Sequence, residues 1–153
     1  MKLSDIMEED NLIPNLKARD KKRAIEELVE AIVKNKPSLD KDSLVRVLLE
    51  RESLGSTAIG DGVAIPHGKF HGISMPIISF GRSLNGLDFE SIDGQPVFLF
   101  FLLVAPEDSA SVHLKALARI AKLLKDSTFR RSLMEAHTRE ELYKIIIQND
   151  EEF

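Results

Sequence analysis

Cysteine is absent from this sequence of 153 residues. Its absence excludes disulfide frameworks, thiolate nucleophiles and zinc sites built on cysteine. Any chemistry of the protein must therefore come from histidine, carboxylate, hydroxyl or arginine side chains.

Long hydrophobic runs are also absent. The longest run, residues 97–105, is far shorter than the ~20 apolar residues that a helix needs to cross a bilayer. The N-terminus lacks the apolar core of a signal peptide. We therefore expect a cytoplasmic protein without stable membrane insertion.

The chain has no strong excess of charge of one sign. Charged residues make up 30% of it, both signs are interspersed, and the formal net charge is -4. This balance gives no broad electrostatic reason to bind nucleic acid or anionic lipid. The hydrophobic content of 43% is enough for a core, and we predict one domain over residues 1–153.

Two helices are predicted in the first third of the chain, where apolar residues recur at helical spacing. Asp20 is a suitable N-cap for the first helix, which ends before Pro37. Asp40 has the same position ahead of a second helix, which is predicted to end at about Arg51 or Glu52. The second helix delivers Arg51 to the start of a glycine-rich loop.

Three more helices are predicted in the last third. Asp126 can cap a short helix that ends near Leu133, and Thr138 with Glu141 forms a capping box ahead of the final helix. The helix before these has His113 in its first turn. Its predicted apolar face consists of Leu114, Leu117, Ala118, Ala121 and Leu124.

Strands are predicted between these two groups of helices. Residues 63–65 form a short apolar run, and residues 77–84 are followed by the hairpin signal Asn85-Gly86 and a return strand over residues 87–89. Residues 97–104 are apolar without alternation, as expected of a strand covered on both faces. The pattern predicts an α/β fold with a mixed parallel and antiparallel sheet and helices on both of its faces.

Histidine is the main neutral-pH nucleophile, base and metal ligand that this chain contains. His67 lies between Pro66 and Gly68, a setting that suits close approach by another protein. His67 and His71 have the spacing of a helical metal pair, but the surrounding proline and glycines disfavour a helix there. His113, near a helix N-terminus, is expected to have a lowered pKa and to lie near amides that can bind an anion. The exposed setting of His137 suggests no chemistry.

The glycine-rich segment, residues 55–62, differs from a nucleotide-binding phosphate loop. No Lys-Ser or Lys-Thr pair follows the second glycine of the spacing. Ser56 and Thr57 are candidates to donate hydrogen bonds to a phosphoryl oxygen, although small hydroxyl residues are also common in such turns for their geometry alone.

A longer motif surrounds these residues. Residues 51–68 read RESLGSTAIGDGVAIPHG, which resembles the signature of the fructose/mannitol-type enzyme IIA domain of the bacterial phosphoenolpyruvate phosphotransferase system. The resemblance extends from LSDI at residues 3–6 through DGQPV at residues 93–97 and VHL at residues 112–114 to ELY at residues 141–143. Within that family the sequence is most similar to the nitrogen-regulatory branch.

This resemblance implies that His67 accepts a phosphoryl group through Nε2, with His113 and Arg51 as the other active-site residues. A proton on Nδ1 would then be directed at a backbone carbonyl, which the sequence cannot identify. The resemblance implies neither a metal nor a cofactor, since donor and acceptor are both imidazoles.

The resemblance also implies a partner, a small HPr-like phosphocarrier protein that donates the phosphoryl group. Phe70, Ile73 and Met75 are candidates for apolar contacts with it, or ordinary core residues. The similarity favours a nitrogen-related regulatory role, and no membrane segment or sugar-specific domain follows residue 153 in this sequence.

Three alternatives to this role stay open. One is a sugar-specific IIA component that passes its phosphoryl group to a IIB domain. Another is a binding module in which phosphorylation only changes the choice of regulatory partner. A metal-dependent hydrolase would rest on the histidine count alone.

Overall fold

The computed structural model describes residues 1–152, in which a short 3₁₀ turn (Leu3–Asp5) precedes five helices and six strands. The helices are α1 (Lys21–Asn35), α2 (Lys41–Ser53), α3 (Ala110–Leu124), α4 (Ser127–Glu135) and α5 (Arg139–Glu151). The strands are β1 (Met7–Ile13), β2 (Ala58–Gly60), β3 (Val63–Ala64), β4 (His67–Phe70), β5 (Ile77–Leu87) and β6 (Val97–Pro106).

The predicted helix starts are confirmed. Asp20, Asp126 and Thr138 each accept a hydrogen bond from a backbone N–H in the first turn of their helix. Asp40 is the N-cap of α2 by position, but its carboxylate accepts from the Ser43 hydroxyl instead. The capping box is half formed, because the Glu141 carboxylate accepts from the backbone N–H of His137.

The six strands form one mixed sheet in the order β1-β5-β6-β3-β2, and β4 also pairs with β6. β5 is antiparallel to β6, whereas β3 and β4 pair in parallel with successive stretches of β6. β1 is parallel to β5, and β2 is antiparallel to β3. This arrangement places β6 at the centre of the sheet.

Both faces of the sheet are covered by helices, as predicted. Leu99, Phe101 and Leu103 of β6 pack into a core with α3, α4 and α5. The alternate residues of the same strand, Phe100 and Leu102, pack into a second core with α1 and α2. Burial on both sides explains why β6 is a continuous apolar run rather than an alternating one.

The hairpin predicted at Asn85-Gly86 is wrong. β5 continues through these residues, and Leu87 still pairs with Val97 of β6 after a shift in register. Gly86 has a positive φ of 76°, and a Cβ atom on it would lie 2.8 Å from the ring of Phe98. The glycine thus allows β5 to bulge past Phe98 and resume pairing, so that the connection to β6 comes later.

The predicted apolar face of α3 is partly wrong as well. The buried side of the helix contains His113, Ala116, Ile120 and Leu123, whereas Leu114 is 64% exposed. The sequence pattern misplaced this face because it was drawn from apolar residues alone, whereas the polar His113 lies on the buried side.

Candidate functional site

His67 is the first residue of β4 and pairs with Leu103 of β6. Its Nδ1 lies 2.6 Å from the carbonyl oxygen of Ile65. A carbonyl can only accept, so Nδ1 carries the proton and the neutral ring has its lone pair on Nε2. The sequence predicted a backbone carbonyl as the acceptor for this proton but could not identify it, and the structure places the Ile65 carbonyl there.

His113 lies against His67. The centroids of the two rings are 5.4 Å apart, and their planes meet at 81°. The topology produces this contact, because β4 runs parallel to β6 and α3 begins directly after the end of β6. His113 is only 7% exposed, and its Nδ1 has no hydrogen-bond partner within the described part of the chain.

Both imidazoles have a lowered pKa, which favours the neutral form. Burial lowers the pKa of His67 below 6.5, the positive charge of Arg51 lowers it further, and the Ile65 carbonyl and Glu52 oppose the shift. Burial also lowers the pKa of His113, with smaller contributions from His67 and Lys69. The direction predicted for His113 agrees with this result, but burial rather than the helix dipole is its main cause.

Arg51 reaches the site from the last turn of α2. Its Nη1 donates to the carbonyl oxygen of Gly55 at 3.0 Å, and its charge acts on His67. Gly68 allows α2 to lie this close, because a Cβ atom there would be 3.1 Å from Val47. The space that the missing side chain of Gly68 leaves is thus filled by α2, and close approach of another protein at His67 stays a prediction.

Ser56 and Thr57 use their hydroxyl groups inside the protein. The Ser56 hydroxyl donates to the carbonyl oxygen of Phe89 at 2.6 Å, and the buried Thr57 hydroxyl donates to the carboxylate of Glu52. In this state both hydroxyls stabilise the loop, and their predicted contact with a phosphoryl group stays a prediction.

The predicted docking residues separate into different environments. Phe70 is buried in the core beside α1 and α2, which agrees with the second of its two predicted roles, that of a core residue. Ile73 and Met75 line a cleft of about 730 Å³ together with the N-terminal turn and the end of α1. Arg51, His67 and His113 are not among the residues that line this cleft. Docking at Ile73 and Met75 stays a prediction.

The remaining histidines lie apart from this pair. The His71 ring stacks on Phe70 with centroids 4.7 Å apart, and His137 is exposed ahead of α5. Within residues 1–152, no group of three histidine, aspartate or glutamate side chains is close enough to hold a metal ion. None of the helices in the same range is long and apolar enough to cross a membrane.

Sequence reasoning missed Glu52 and Lys21. The Glu52 carboxylate accepts from the backbone N–H of Thr57 at 3.1 Å and pairs with the Lys21 ammonium at 2.9 Å. The sequence did contain a sign of the buried position of Glu52. Glu52 follows Leu48 by four residues and so continues the buried face of α2. A charged residue at such a position requires a partner.

Comparison with known proteins finds a matching family, similar sequences and a similar fold. Residues 5–149 match the family "Phosphoenolpyruvate-dependent sugar phosphotransferase system, EIIA 2". A nitrogen regulatory protein of Bradyrhizobium diazoefficiens is 42% identical over 146 residues, which cover 95% of each chain. The fructose-specific EIIABC component of Bacillus subtilis is 37% identical over 98% of this chain, which spans only 24% of that relative.

The fold has a similar match among solved structures. The nitrogen regulatory protein IIA-Ntr from Neisseria meningitidis superimposes with a TM-score of 0.87 at 33% identity, over 94% of this chain and 98% of that one. The family match, the similar sequences and the shared fold all cover nearly the whole chain. The chain therefore belongs to the EIIA 2 family of the phosphoenolpyruvate-dependent sugar phosphotransferase system and is a phosphoryl carrier.

Proposed function

We propose that this protein is a phosphohistidine phosphotransferase, which accepts a phosphoryl group on Nε2 of His67 from the phosphohistidine of an HPr-like carrier protein. The observation that carries the proposal is the hydrogen bond from Nδ1 of His67 to the Ile65 carbonyl. It leaves the lone pair on Nε2, and the lowered pKa keeps the ring unprotonated near neutral pH. A nucleophile with these properties needs no separate base.

The transfer step balances without movement of a proton. The Nε2 lone pair of His67 forms a bond to phosphorus while the bond from phosphorus to the donor nitrogen breaks. The donor ring carries a proton on its other nitrogen, so it starts as a phosphorylated imidazolium; it takes back the electron pair of the broken bond and leaves as neutral imidazole. His67 becomes a phosphorylated imidazolium, and its new positive charge faces the Ile65 carbonyl at Nδ1.

Arg51 and His113 stabilise charge on the phosphoryl group during this step. A loose transition state spreads negative charge over the equatorial oxygens, so that positioned cations and hydrogen-bond donors matter most. The unpartnered Nδ1 of the buried His113 supports this role, because a hydrogen bond with a phosphoryl oxygen would offset the cost of leaving it unpaired. The Arg51 guanidinium supplies a fixed fork of donors at the end of α2.

The direct test is incubation of the protein with phosphoenolpyruvate and the general phosphotransferase proteins, followed by mass measurement. We expect one acid-labile, base-stable phosphoryl group, which is lost in His67→Ala. His71→Ala is the matched control, because His71 is exposed four residues away and should leave labelling intact. Label that persists in His67→Ala would disprove the assignment.

We propose further that the carrier serves the nitrogen-related regulatory branch rather than sugar uptake. The support is that the nitrogen regulatory relative from Bradyrhizobium diazoefficiens is 42% identical to this chain, compared with 37% for the fructose-specific relative from Bacillus subtilis. Phosphorylation adds about -1.5 to -2 charges around His67, which would change the partners that this surface accepts.

This second proposal needs a separate experiment. Pull-downs with phosphorylated and unphosphorylated protein should recover different partners, and transfer to a fructose or mannitol IIB domain should be slow. Rapid transfer to such a IIB domain, without any phosphorylation-sensitive partner, would favour a sugar-specific component and leave the assignment of His67 unchanged. Phosphorylation-sensitive partners without any onward transfer would indicate a pure binding module.

A further inference from the structure

A buried carboxylate lies behind the candidate site. Glu52, at the end of α2, is only 6% exposed. Its Oε1 accepts from the backbone N–H of Thr57 at 3.1 Å and lies 2.9 Å from the Lys21 ammonium, while its Oε2 accepts from the Thr57 hydroxyl. All described polar contacts of this carboxylate are therefore with Lys21 and with Thr57.

Backbone hydrogen bonds connect Thr57 with His67. Its carbonyl oxygen accepts from the N–H of Ile65 at 3.1 Å, next to the pairing of β2 with β3. The carbonyl oxygen of the same Ile65 accepts from Nδ1 of His67 at 2.6 Å. A continuous series of hydrogen bonds thus connects Glu52 with the imidazole ring.

The series matters because its last bond selects the reactive nitrogen. Only when the Ile65 carbonyl accepts from Nδ1 does the neutral ring have its lone pair on Nε2. The segment between α2 and β4 contains three glycines with positive φ, at residues 55, 60 and 62, and pairs through very short strands. Its position therefore depends on anchors from outside, and Glu52 supplies one at Thr57.

We infer that Glu52 is a positioning residue for phosphoryl transfer, which acts through Thr57 and Ile65 to hold the His67 ring with its proton on Nδ1 and its Nε2 ready to attack. This inference rests on the proposed role of His67. The Lys21 ammonium pairs with this carboxylate, which accepts from both Thr57 donors. Glu52 itself touches neither His67 nor the phosphoryl group.

The first measurement needs no transfer at all. Long-range ¹H–¹⁵N NMR spectra report which nitrogen of His67 carries the proton. We expect a single Nδ1–H form in the wild-type protein and a mixture of both tautomers in Glu52→Leu, which fills the site but accepts no hydrogen bond. Glu52→Gln should stay close to wild type, because its amide can accept from the Thr57 N–H and donate to the Thr57 hydroxyl.

The matched control is Glu27→Leu. Glu27 is also a helix glutamate whose carboxylate anchors a neighbouring loop, since it accepts from the backbone N–H groups of Lys17 and Ala18. That loop does not lead to His67, so the His67 signals should be unchanged. If Glu52→Leu fails to fold, Thr57→Val replaces it, because this variant removes only the hydroxyl bond to Glu52.

The second measurement is transfer from the phosphorylated donor. In Glu52→Leu we expect the rate at saturating donor to fall by about 10- to 100-fold, the range expected from misplacing a reacting group. The KM for the donor should change by less than about twofold, since Glu52 is buried and binds no partner. Glu52→Gln should recover most of the rate.

The outcomes separate this inference from the proposed function. Unchanged His67 tautomers in Glu52→Leu and Thr57→Val overturn the positioning role, whatever happens to transfer. Changed tautomers with a wild-type transfer rate overturn it too, because ring orientation would then not limit the reaction. Wild-type protein that takes up no label on His67 disproves the proposed function, and the NMR comparison still decides whether Glu52 orients the ring.

Discussion

Two buried carboxylates, Glu52 and Asp150, make similar bonds in different regions of this molecule. Each lies near the end of a helix, each accepts from a backbone N–H and each pairs with a basic side chain. Asp150 accepts from the N–H of Leu3 at 2.7 Å and pairs with Arg119 of α3, while Glu52 serves the segment before His67. We refer to Leu3, Arg119 and Asp150 as the terminal clamp.

Glu52 and Asp150 differ in the part of the molecule to which the bonded backbone segment connects. The described bonds of the terminal clamp tie α5 and α3 to the start of the chain and do not lead to His67. The bond from Glu52 leads through Thr57 and Ile65 to an imidazole. The same chemistry is therefore expected to support stability in one region and reactivity in the other.

Asp150→Ala is expected to give the largest effect and tests the separation most directly. Asp150 is 1% exposed, and removing it breaks a buried ion pair and leaves the Leu3 N–H unsatisfied. We expect the free energy of unfolding to fall by about 3 kcal/mol in urea denaturation. The transfer rate of the folded fraction should be unchanged, and a loss of that rate would show that the two regions are coupled.

Arg51→Lys should produce the reverse result. A lysine ammonium keeps the charge but cannot reproduce the planar fork of donors, so we expect transfer to slow by about tenfold or more. The free energy of unfolding should change little, because Arg51 makes only one described hydrogen bond, to Gly55 in an exposed loop. Wild-type kinetics in this variant would assign Arg51 a purely structural role.

The pH dependence should distinguish the two regions further. Burial lowers the pKa of His67 and that of His113 below 6.5. Between these lowered values and pH 6.5, the unfolded chain therefore binds more protons than the folded one. Stability should therefore be fully present above about pH 6.5 and be lost as the pH falls through the lower folded pKa values.

Denaturation at several pH values, with NMR titration of the histidines, measures this effect. His113→Gln should reduce the loss of stability on acidification, whereas the exposed control His137→Gln should not. A pKa for His67 above 6.5 would contradict the account of a neutral acceptor.

The smallest expected effect concerns the surface that the donor contacts. Leu114 is exposed directly after His113, so we expect Leu114→Ser to raise the KM for the donor by about threefold at an unchanged rate, as for a modest interface contact. Met75→Ser is the comparison, because Met75 lines a separate cleft. A larger effect at Met75 would instead support the docking surface that includes Ile73 and Met75.

Much of the fold could be predicted from local patterns. Helix starts at Asp20, Asp126 and Thr138 depend on bonds within a few residues, so the sequence carries that information. The Asn85-Gly86 turn was misjudged because its local signal is the same for a hairpin and for a bulge. The close contact of the Phe98 ring with Gly86, which only the folded structure shows, distinguishes the bulge from the hairpin. β2 and β4 were missed because short strands are defined by their neighbours in the sheet. β1 was missed because the exposed polar residues Glu8 to Asp10 interrupt its apolar pattern.

The sequence by itself determined the family of the chain and the residue types of its site, because motif and composition are properties of the chain alone. Only the tertiary structure decided that His113 lies against His67, that the Ile65 carbonyl accepts from Nδ1 of His67 and that Glu52 bonds to Thr57 in the segment between α2 and β4. These relations join residues through strand pairing, helix packing and burial. A side chain's partners in space depend on where the rest of the chain folds, and no local pattern specifies that position.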